Sequence, residues 1–193
     1  VRALIVNTET GENVGQGVAC YPRWKAGLYQ HPEYSIFRQH PLDYLESLEK
    51  CITTALAELT EEQKDHVIGI GVDTTGSTPV PVDKNGIPLA LLDEFAENEN
   101  AMFFLWKDHA AAAEADEINK LFRNNSENDY TKYQGDYSAE WYWAKILYAV
   151  RHDEAIRQAA YTWEEHCDWM TGILCGETRP EKIYHSACAA GHK

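Results

Sequence analysis

The chain has 193 residues, of which 44% are hydrophobic and 25% are charged, a composition typical of a globular protein with a sizeable core. Its formal net charge is −14. An acidic surface displaces no counterions from a polyanion, so this charge argues against nucleic acid or an anionic membrane as the main partner. The sequence also has no run near the ~18 apolar residues that a membrane span needs.

The five cysteines are odd in number and scattered along the chain. This number and scatter of cysteines indicate free thiols in a reducing compartment, and we therefore expect a cytoplasmic location. The chain opens directly on the apolar run Val1–Val6 and stops as abruptly at Lys193. We therefore expect a segment of a longer protein.

The first predicted element is a hairpin, in which apolar runs at 3–6 and 14–21 flank a turn at Gly11. A loop rich in aromatic and histidine side chains is expected over 22–41. Pro41 then suits the first turn of a helix whose leucines and isoleucine recur at steps of three and four residues. Directly after this helix, Thr60-Glu61-Glu62-Gln63 has capping-box spacing.

The middle of the chain is predicted to hold a strand over 67–72 and a second hairpin, 79–82 with 87–91, joined by an Asn-Gly turn. A helix is predicted from Asn98 to Phe122, where alanines are frequent. A polar loop should follow, over 124–136.

The last third is predicted to hold three further helices. Ser138 can cap one that runs to residue 151, Asp153 a short one, and Asp168 a third that ends at Gly176. Residues 163–169 fit a strand and a helix equally well. Strands and helices in this order indicate a mixed α/β domain.

A polar turn follows the predicted strand, with the sequence Asp73-Thr74-Thr75-Gly76-Ser77-Thr78. A phosphate loop offers main-chain amides to an anion, often at a helix start. Here Pro79 and Pro81 follow, and proline has no amide donor. From the residues alone, a structural turn and a site for another polar ligand are both favoured over a phosphate loop.

Three other groups of residues are candidates for chemistry. The segment Trp106-Lys107-Asp108-His109, predicted to lie in a helix, either lines a cleft or packs at a helix edge. Cys188 and His192 have zinc-ligand spacing, but the full set of four ligands is missing. The neighbours His166 and Cys167 show no third group that would orient them for catalysis.

Several blocks of the sequence resemble the FGGY carbohydrate kinases, and two of them are particular to the ribulokinase branch of that family. The resemblance covers most of the chain. It rests on GVDTTGSTPVPVD, EFAENENAMFFLWKDHAAA, SAEWYWAKIL, EHCDWMTGILCGETRP and CAAGHK.

The resemblance implies an actin-like, ribonuclease-H-like α/β domain. Residues 1–193 would form most of the N-terminal, sugar-side domain. The family's first strand with its phosphate-facing turn should lie before Val1. The general base and the ATP-binding domain should lie beyond Lys193, so the resemblance places no catalytic residue and no ATP or metal ligand in this chain.

The family also implies which residues contact the sugar. Gly76 and Ser77 stand where glycerol-kinase relatives have an Arg-Glu pair, and this smaller turn leaves room for a ketose. Lys193 matches a substrate-contacting lysine of ribulokinases. Trp106 and Lys107 stand where relatives have the start of a cleft-lining helix, and Glu140 and Trp141 lie near the position of a polyol-contacting tyrosine.

The function implied is ATP- and Mg²⁺-dependent phosphorylation of the terminal hydroxyl of L-ribulose, in the breakdown of L-arabinose. Two alternatives stay open, namely a kinase for L-xylulose or a polyol, and a non-catalytic sugar-binding or interaction module of the same fold. The chain alone is expected to be inactive, and its exposed strand edges are expected to make it self-associate.

Overall fold

The computed structural model describes residues 1–125, 127 and 129–186. The chain divides into two compact units, one formed by residues 1–28 and 40–71 and the other by residues 29–39 and 72–193. Among the described residues, no helix is long and apolar enough to cross a membrane.

The first unit is a hairpin with a long helix packed on it. The antiparallel hairpin pairs β1 (Arg2–Val6) with β2 (Asn13–Val18), as the turn sequence predicted. Its helices are α1 (Pro22–Lys25), α2 (Pro41–Leu56) and α3 (Glu61–Asp65). Pro41 lies in the first turn of α2, as predicted, and the capping box forms, with Gln63 N–H donating to Thr60 Oγ1 over 3.3 Å.

Helix α2 approaches the hairpin most closely at two glycines of β2. A Cβ added to Gly17 would lie 2.0 Å from the carbonyl oxygen of Cys51, and one added to Gly15 would lie 2.7 Å from that of Ala55. The two glycines therefore let the helix backbone lie directly against the strand. Cys51 and Ala55 are fully buried, whereas the leucines at 45, 48 and 56 are half-buried.

The second unit contains two small sheets and five helices in its described residues. One sheet is antiparallel with the order β3 (Gln30–His31), β4 (Ile36–Gln39) and β6 (Phe103–Phe104), and the other pairs β5 (Pro79–Val82) with β7 (Thr162–Glu165). The helices are α4 (Ala112–Asn124), α5 (Thr131–Gln134), α6 (Tyr142–His152), α7 (Glu154–Ala159) and α8 (His166–Cys175).

Two apolar clusters form much of the core of this unit. The first surrounds Ile156 and the second surrounds Ala144 on α6. The fully buried rings of Phe103 and Trp169 add a third contact, with their centroids 5.3 Å apart. The core thus brings helices α6, α7 and α8 onto the two sheets.

Several predicted elements differ from the structure. Residues 67–72 form no strand, and Ile68 and Ile70 are 86% and 62% exposed. A strand exists only with a hydrogen-bonded neighbour, and the described residues provide none for this segment. The predicted loop over 22–41 instead contains a short helix and two strands, because its backbone pairs locally and with β6.

The predicted helix 98–122 forms only in its second half. Phe103 and Phe104 pair with Gln39 and Arg38 in the three-stranded sheet, so this part of the chain is extended. Residues 87–91 form a 3₁₀ turn after an isolated bridge instead of a second hairpin strand. The Asp153 cap of α7 and the left-handed Gly176 after α8 are as predicted, whereas α8 is capped by Glu165 and not by Asp168.

Candidate functional site

The turn at 76–78 is held through a single peptide group. Ser77 has a φ of 51°, in the left-handed region that non-glycine residues seldom adopt. Its carbonyl oxygen accepts a hydrogen bond from Lys145 Nζ over 2.6 Å. The N–H of Thr78, which belongs to the same peptide group, donates to Glu165 Oε1 over 2.7 Å. Both faces of the Ser77–Thr78 peptide are therefore bound by buried side chains.

These two side chains come from different elements of the second unit. Lys145 lies on α6 among the helix's buried residues, and it is fully buried itself. Glu165 ends β7 and caps α8, where its Oε1 also accepts from His166 N–H over 3.1 Å. Since β7 pairs with β5, Pro79 lies opposite Glu165, and the turn just before β5 comes within its reach.

Burial changes the proton affinity of both groups. It lowers the pKa of Lys145 from 10.5 to about 7, and the negative charge of Glu165 opposes this shift. It also raises the pKa of Glu165, against the two backbone N–H groups that favour the carboxylate. The amine thus keeps two N–H donors for its carbonyl partners even when it is neutral.

The phosphates of a nucleotide do not fit this turn. The amide of Thr78 already donates to a carboxylate, and an anion placed there would be repelled by Glu165. Pro79 and Pro81 follow and have no amide to offer. Of the alternatives left open by the sequence, the phosphate loop is therefore excluded, and no step is assigned to ATP at this turn.

The segment around Trp106 leaves the sheet at β6 and is not helical, contrary to the sequence expectation. The cause is Asp108, which is fully buried and holds the chain against β4. Asp108 Oδ2 accepts from Phe37 N–H over 2.6 Å and from a guanidinium nitrogen of Arg38, and its Oδ1 accepts from Ala110 N–H. Asp108 is therefore a structural residue of this segment.

The neighbours of Asp108 point outward. The Trp106 side chain is 39% exposed, and Lys107 is exposed with its Nζ 4.0 Å from the centroid of the Phe37 ring. His109 Nε2 lies 2.9 Å from Glu140 Oε1, which links this segment to the one before α6. An exposed indole beside an ammonium and a carboxylate can bind a polyhydroxylated ligand.

Trp141 has a different environment from its neighbour Glu140. Its ring makes an edge contact with Tyr137, with centroids 4.9 Å apart, in the cluster around Ala144. Its carbonyl oxygen accepts from Lys145 N–H over 3.4 Å in the first turn of α6. Trp141 is thus half-buried and packs against the core.

Three of the predicted segments converge on Lys145. Its Nζ binds the carbonyl oxygen of Ser77 and, over 2.8 Å, that of Leu105, the residue before Trp106. Its backbone follows Trp141 by one helical turn. The structure therefore brings three candidate pairs together around Lys145: Gly76 and Ser77, Trp106 and Lys107, and Glu140 and Trp141. Ser77 itself is buried, and its hydroxyl has no hydrogen-bond partner among the described residues.

The remaining predicted residue, Lys193, lies outside the described residues, as do Cys188 and His192. The chain that leads toward them is anchored by Asp168, whose Oδ1 accepts from Ser186 N–H over 2.9 Å. His185 Nδ1 lies 3.5 Å from Glu164 and 3.6 Å from Asp168. Burial raises the pKa of Glu164 to about 7, and the imidazole opposes the shift.

No group of three or more potential ligands in the described ranges could hold a metal ion. His166 is buried beside the Phe103 ring, with centroids 5.1 Å apart, and burial lowers its pKa to about 3. Burial, with Asp168 adding to the effect, raises the pKa of the Cys167 thiol to about 12, which disfavours the thiolate that a nucleophile needs.

Sequence reasoning missed Lys145 and Glu165. One signal was present, since Lys145 occupies a core-facing position of α6 between Ala144 and Ala149. A lysine on an apolar helix face is seldom fully buried without a specific partner. The sequence did not reveal that partner, because Ser77 is 68 positions away.

Comparison with known proteins identifies relatives of the whole chain. It is 51% identical over 194 residues to a ribulokinase of Vibrio parahaemolyticus and 34% identical over 199 residues to a ribulokinase of Shouchella clausii. In both cases all of this chain is matched. The chain is a homologue of the ribulokinases. No family model matches it.

The homology with the ribulokinases covers only part of those proteins. The chain spans 34% of the length of each of these two curated relatives. A solved structure of a "xyloylose kinase" from Brucella ovis superimposes with a TM-score of 0.63 at 15% identity, over 89% of this chain and 31% of that one. The sugar-kinase fold expected from the motifs, an α/β actin-like domain, is therefore confirmed.

Proposed function

We propose that this chain is the sugar-binding part of an ATP- and Mg²⁺-dependent kinase that phosphorylates the terminal hydroxyl of L-ribulose in the breakdown of L-arabinose. The observation that carries the proposal is the 51% identity to a ribulokinase along the entire chain. The convergence of three candidate segments on Lys145 supports it, because a sugar site needs several polar and aromatic groups in one place.

We propose that the chain's own residues bind and orient the sugar. The Trp106 ring offers an apolar face to the sugar's C–H groups, and Lys107 and Glu140 bind hydroxyls as donor and acceptor. Gly76 contributes backbone to the sugar, whereas Ser77 is fully buried, backbone included, and shapes the turn. Trp141 supports the site from the core, and Lys193 is proposed to contact the substrate from its own segment.

We propose that sugar binding and phosphoryl transfer are divided between this chain and the rest of the protein. Residues 1–193 form most of the N-terminal, sugar-side domain. The phosphate-facing turn, the general base and the ATP-binding domain belong to other parts of the protein. ATP with Mg²⁺ supplies the phosphoryl group, and positioning of the attacking hydroxyl is the contribution of this chain.

The test of this function is a substrate panel on the full-length protein, with ADP release as the readout. We expect the highest kcat/KM with L-ribulose and no activity from residues 1–193 alone. A preference for another ketopentose or a polyol would overturn the L-ribulose assignment. Sugar binding without any phosphoryl transfer would indicate a non-catalytic module.

A second specificity within the same class stays open as an alternative. The Brucella ovis protein of the same fold is named for another sugar. L-Xylulose and polyols therefore belong in the panel. Because 15% identity says nothing about specificity, we place this alternative second.

We propose a cytoplasmic location for the kinase. Residues 1–193 on their own are proposed to self-associate through the edge of β1. In the described structure β1 pairs only with β2, and Leu4 and Val6 are 49% and 50% exposed. Light scattering of residues 1–193 should show association that falls after Leu4→Lys, because a charge on the edge opposes strand pairing. A monomer at high concentration would contradict the proposal.

A further inference from the structure

The turn that carries Gly76 and Ser77 is held by groups that face no solvent. Lys145 is fully buried and Glu165 is 2% exposed, and together they bind the C=O and the N–H of one peptide. A peptide bound at both ends cannot flip without losing both hydrogen bonds. Its orientation is therefore fixed by two elements that lie far along the chain, α6 and β7.

The two hydrogen bonds restrain Ser77, whose backbone conformation is unfavourable. Left-handed backbone disfavours a residue with a side chain and persists only where the surroundings determine it. Ser77 has φ 51° and no hydrogen bond from its own hydroxyl in the described part of the chain. The peptide that follows it is the part of this turn bound by both charged side chains, so Lys145 and Glu165 hold Ser77 in this conformation.

Lys145 also reaches the second candidate segment. The same Nζ that binds Ser77 O binds Leu105 O over 2.8 Å, directly before the exposed Trp106. An amine bridging two carbonyl groups fixes the distance between the two segments. The third segment, at Trp141, precedes Lys145 by one turn of the same helix.

We propose that Lys145 and Glu165 are positioning residues of the sugar site, which act through the Ser77–Thr78 peptide and the Leu105 carbonyl to hold the Gly76 turn and Trp106 at a fixed spacing. This inference rests on the proposed sugar-kinase function. Neither residue touches the sugar. Their loss should therefore weaken sugar binding while the affinity for ATP is unchanged.

The experiment compares variants of the full-length protein in steady-state assays with L-ribulose and ATP. Lys145→Met removes both N–H bonds and keeps a side chain of similar length, and Glu165→Leu removes the acceptor of the Thr78 amide. We expect each to raise the sugar KM by about tenfold or more, with the ATP KM within about twofold of wild type. Glu165→Gln keeps an acceptor oxygen and should restore a near-normal sugar KM.

Ile156→Ala is the control for general destabilisation. Ile156 is fully buried in a cluster that contains no residue of the three candidate segments. The change should lower Tm by roughly 5 °C or more and leave the sugar KM as it is. If Ile156→Ala raises the sugar KM as much as Lys145→Met does, the effect is general and the positioning role is wrong.

Amide hydrogen exchange separates this proposal from the proposed function. The Thr78 amide should be protected in the wild-type protein and exchange faster in Lys145→Met and Glu165→Leu than in Ile156→Ala. Faster exchange with an unchanged sugar KM would overturn the positioning role. No phosphorylation of any sugar by the wild type would instead overturn the function, whatever the exchange shows. If Lys145→Met does not fold, the comparison of Glu165→Leu with Glu165→Gln decides the outcome.

Discussion

Helix α2 in the first unit packs on its hairpin through backbone contact, whereas the second unit packs its turns around buried charges. Gly15 and Gly17 let α2 lie directly on β2. In the second unit Lys145 and Glu165 hold one turn and Asp108 holds another, all three of them buried. Buried Asp43 of α2 holds the amides of α1 in the same way in the first unit. Close packing fixes the distance between two elements, while a buried charge fixes the direction of particular backbone groups. A binding site needs the second kind of control.

The largest effect is expected at Asp108, because its loss leaves another charge unpaired. Asp108→Asn keeps the size of the side chain and removes the charge beside the buried guanidinium of Arg38. We expect the free energy of unfolding to fall by about 3–5 kcal/mol, measured by denaturant unfolding. Exposed Asp136, which pairs with Arg123, is the matched control. Asp136→Asn should lower the free energy of unfolding by at most about 1 kcal/mol. Equal losses in the two variants would contradict the difference expected between the buried and the exposed ion pair.

The contact between β2 and α2 is tested at Gly17. A Cβ there would lie 2.0 Å from one backbone atom of Cys51, so Gly17→Ala forces the helix away from the strand. We expect a loss of about 3 kcal/mol in the free energy of unfolding. Gly11→Ala, in the turn of the same hairpin, meets no atom within 4 Å and should cost about 1 kcal/mol through its φ of 75° alone. A smaller loss at Gly17 than at Gly11 would show that the close contact does not form.

The turn of the second unit is tested by Gly76→Arg in the full-length protein. The long side chain should fill the space next to Ser77 and raise the sugar KM by about tenfold or more, since it excludes part of the substrate. ATP KM should stay nearly unchanged. Gly135→Arg is the control: a Cβ there meets no atom within 4 Å, and the φ of 77° should cost stability without changing either KM. A rise in the ATP KM after Gly76→Arg would place the nucleotide, not the sugar, at this turn.

The last effect is a pH dependence that belongs to Lys145, and it is modest over any single pH unit. Its pKa is about 7 in the folded protein and near 10.5 when unfolded, so the unfolded state binds more protons between these values. Stability should therefore rise with pH from about 7 to 10.5, by at most about 1.4 kcal/mol per pH unit. Glu165, Arg38 and Glu140 are the charges that act on this amine.

Lys145→Met should remove that rise in stability with pH. The measurement is the free energy of unfolding of wild type minus that of the variant, taken at several pH values across this range. Taking the difference cancels the titrating groups that do not interact with Lys145, whereas Glu165, which does interact with it, contributes to the difference. Lys120, an exposed lysine of α4, provides the matched control, and Lys120→Met should leave the slope in place. An unchanged slope in Lys145→Met would mean that the amine remains solvated.

Local signals predicted the hairpin and helix α2 of the first unit. The glycine turn between two apolar runs and the proline at the start of α2 act over a few residues, and the hairpin and the helix follow them. The strand expected at 67–72 was wrong because apolar residues alone do not supply a pairing neighbour. The helix expected from Asn98 was half wrong because pairing with β4 overrides local preference at Phe103.

The candidate site was predicted only where a family resemblance named its residues. Trp106 is exposed, Glu140 is half-buried, and His109 contacts Glu140, but periodicity alone placed Trp106 in a helix. Lys145 and Glu165 could not be found from the sequence, because each acts through a hydrogen bond to the Ser77–Thr78 peptide. That peptide lies 68 and 87 positions away from them in the sequence. Hydrophobic pattern reports which face is buried and does not report what a buried charge binds.

The long separation between Thr78 and Glu165 has a consequence for synthesis of the protein. A ribosome releases the turn at 76–78 long before it has made β7, so the emerging turn lacks its acceptor for the next 87 residues. Contacts that span so much chain close late. The nascent turn should thus reach its final shape only when β7 pairs with β5, which makes the surface proposed to face the sugar one of the last parts of this unit to mature.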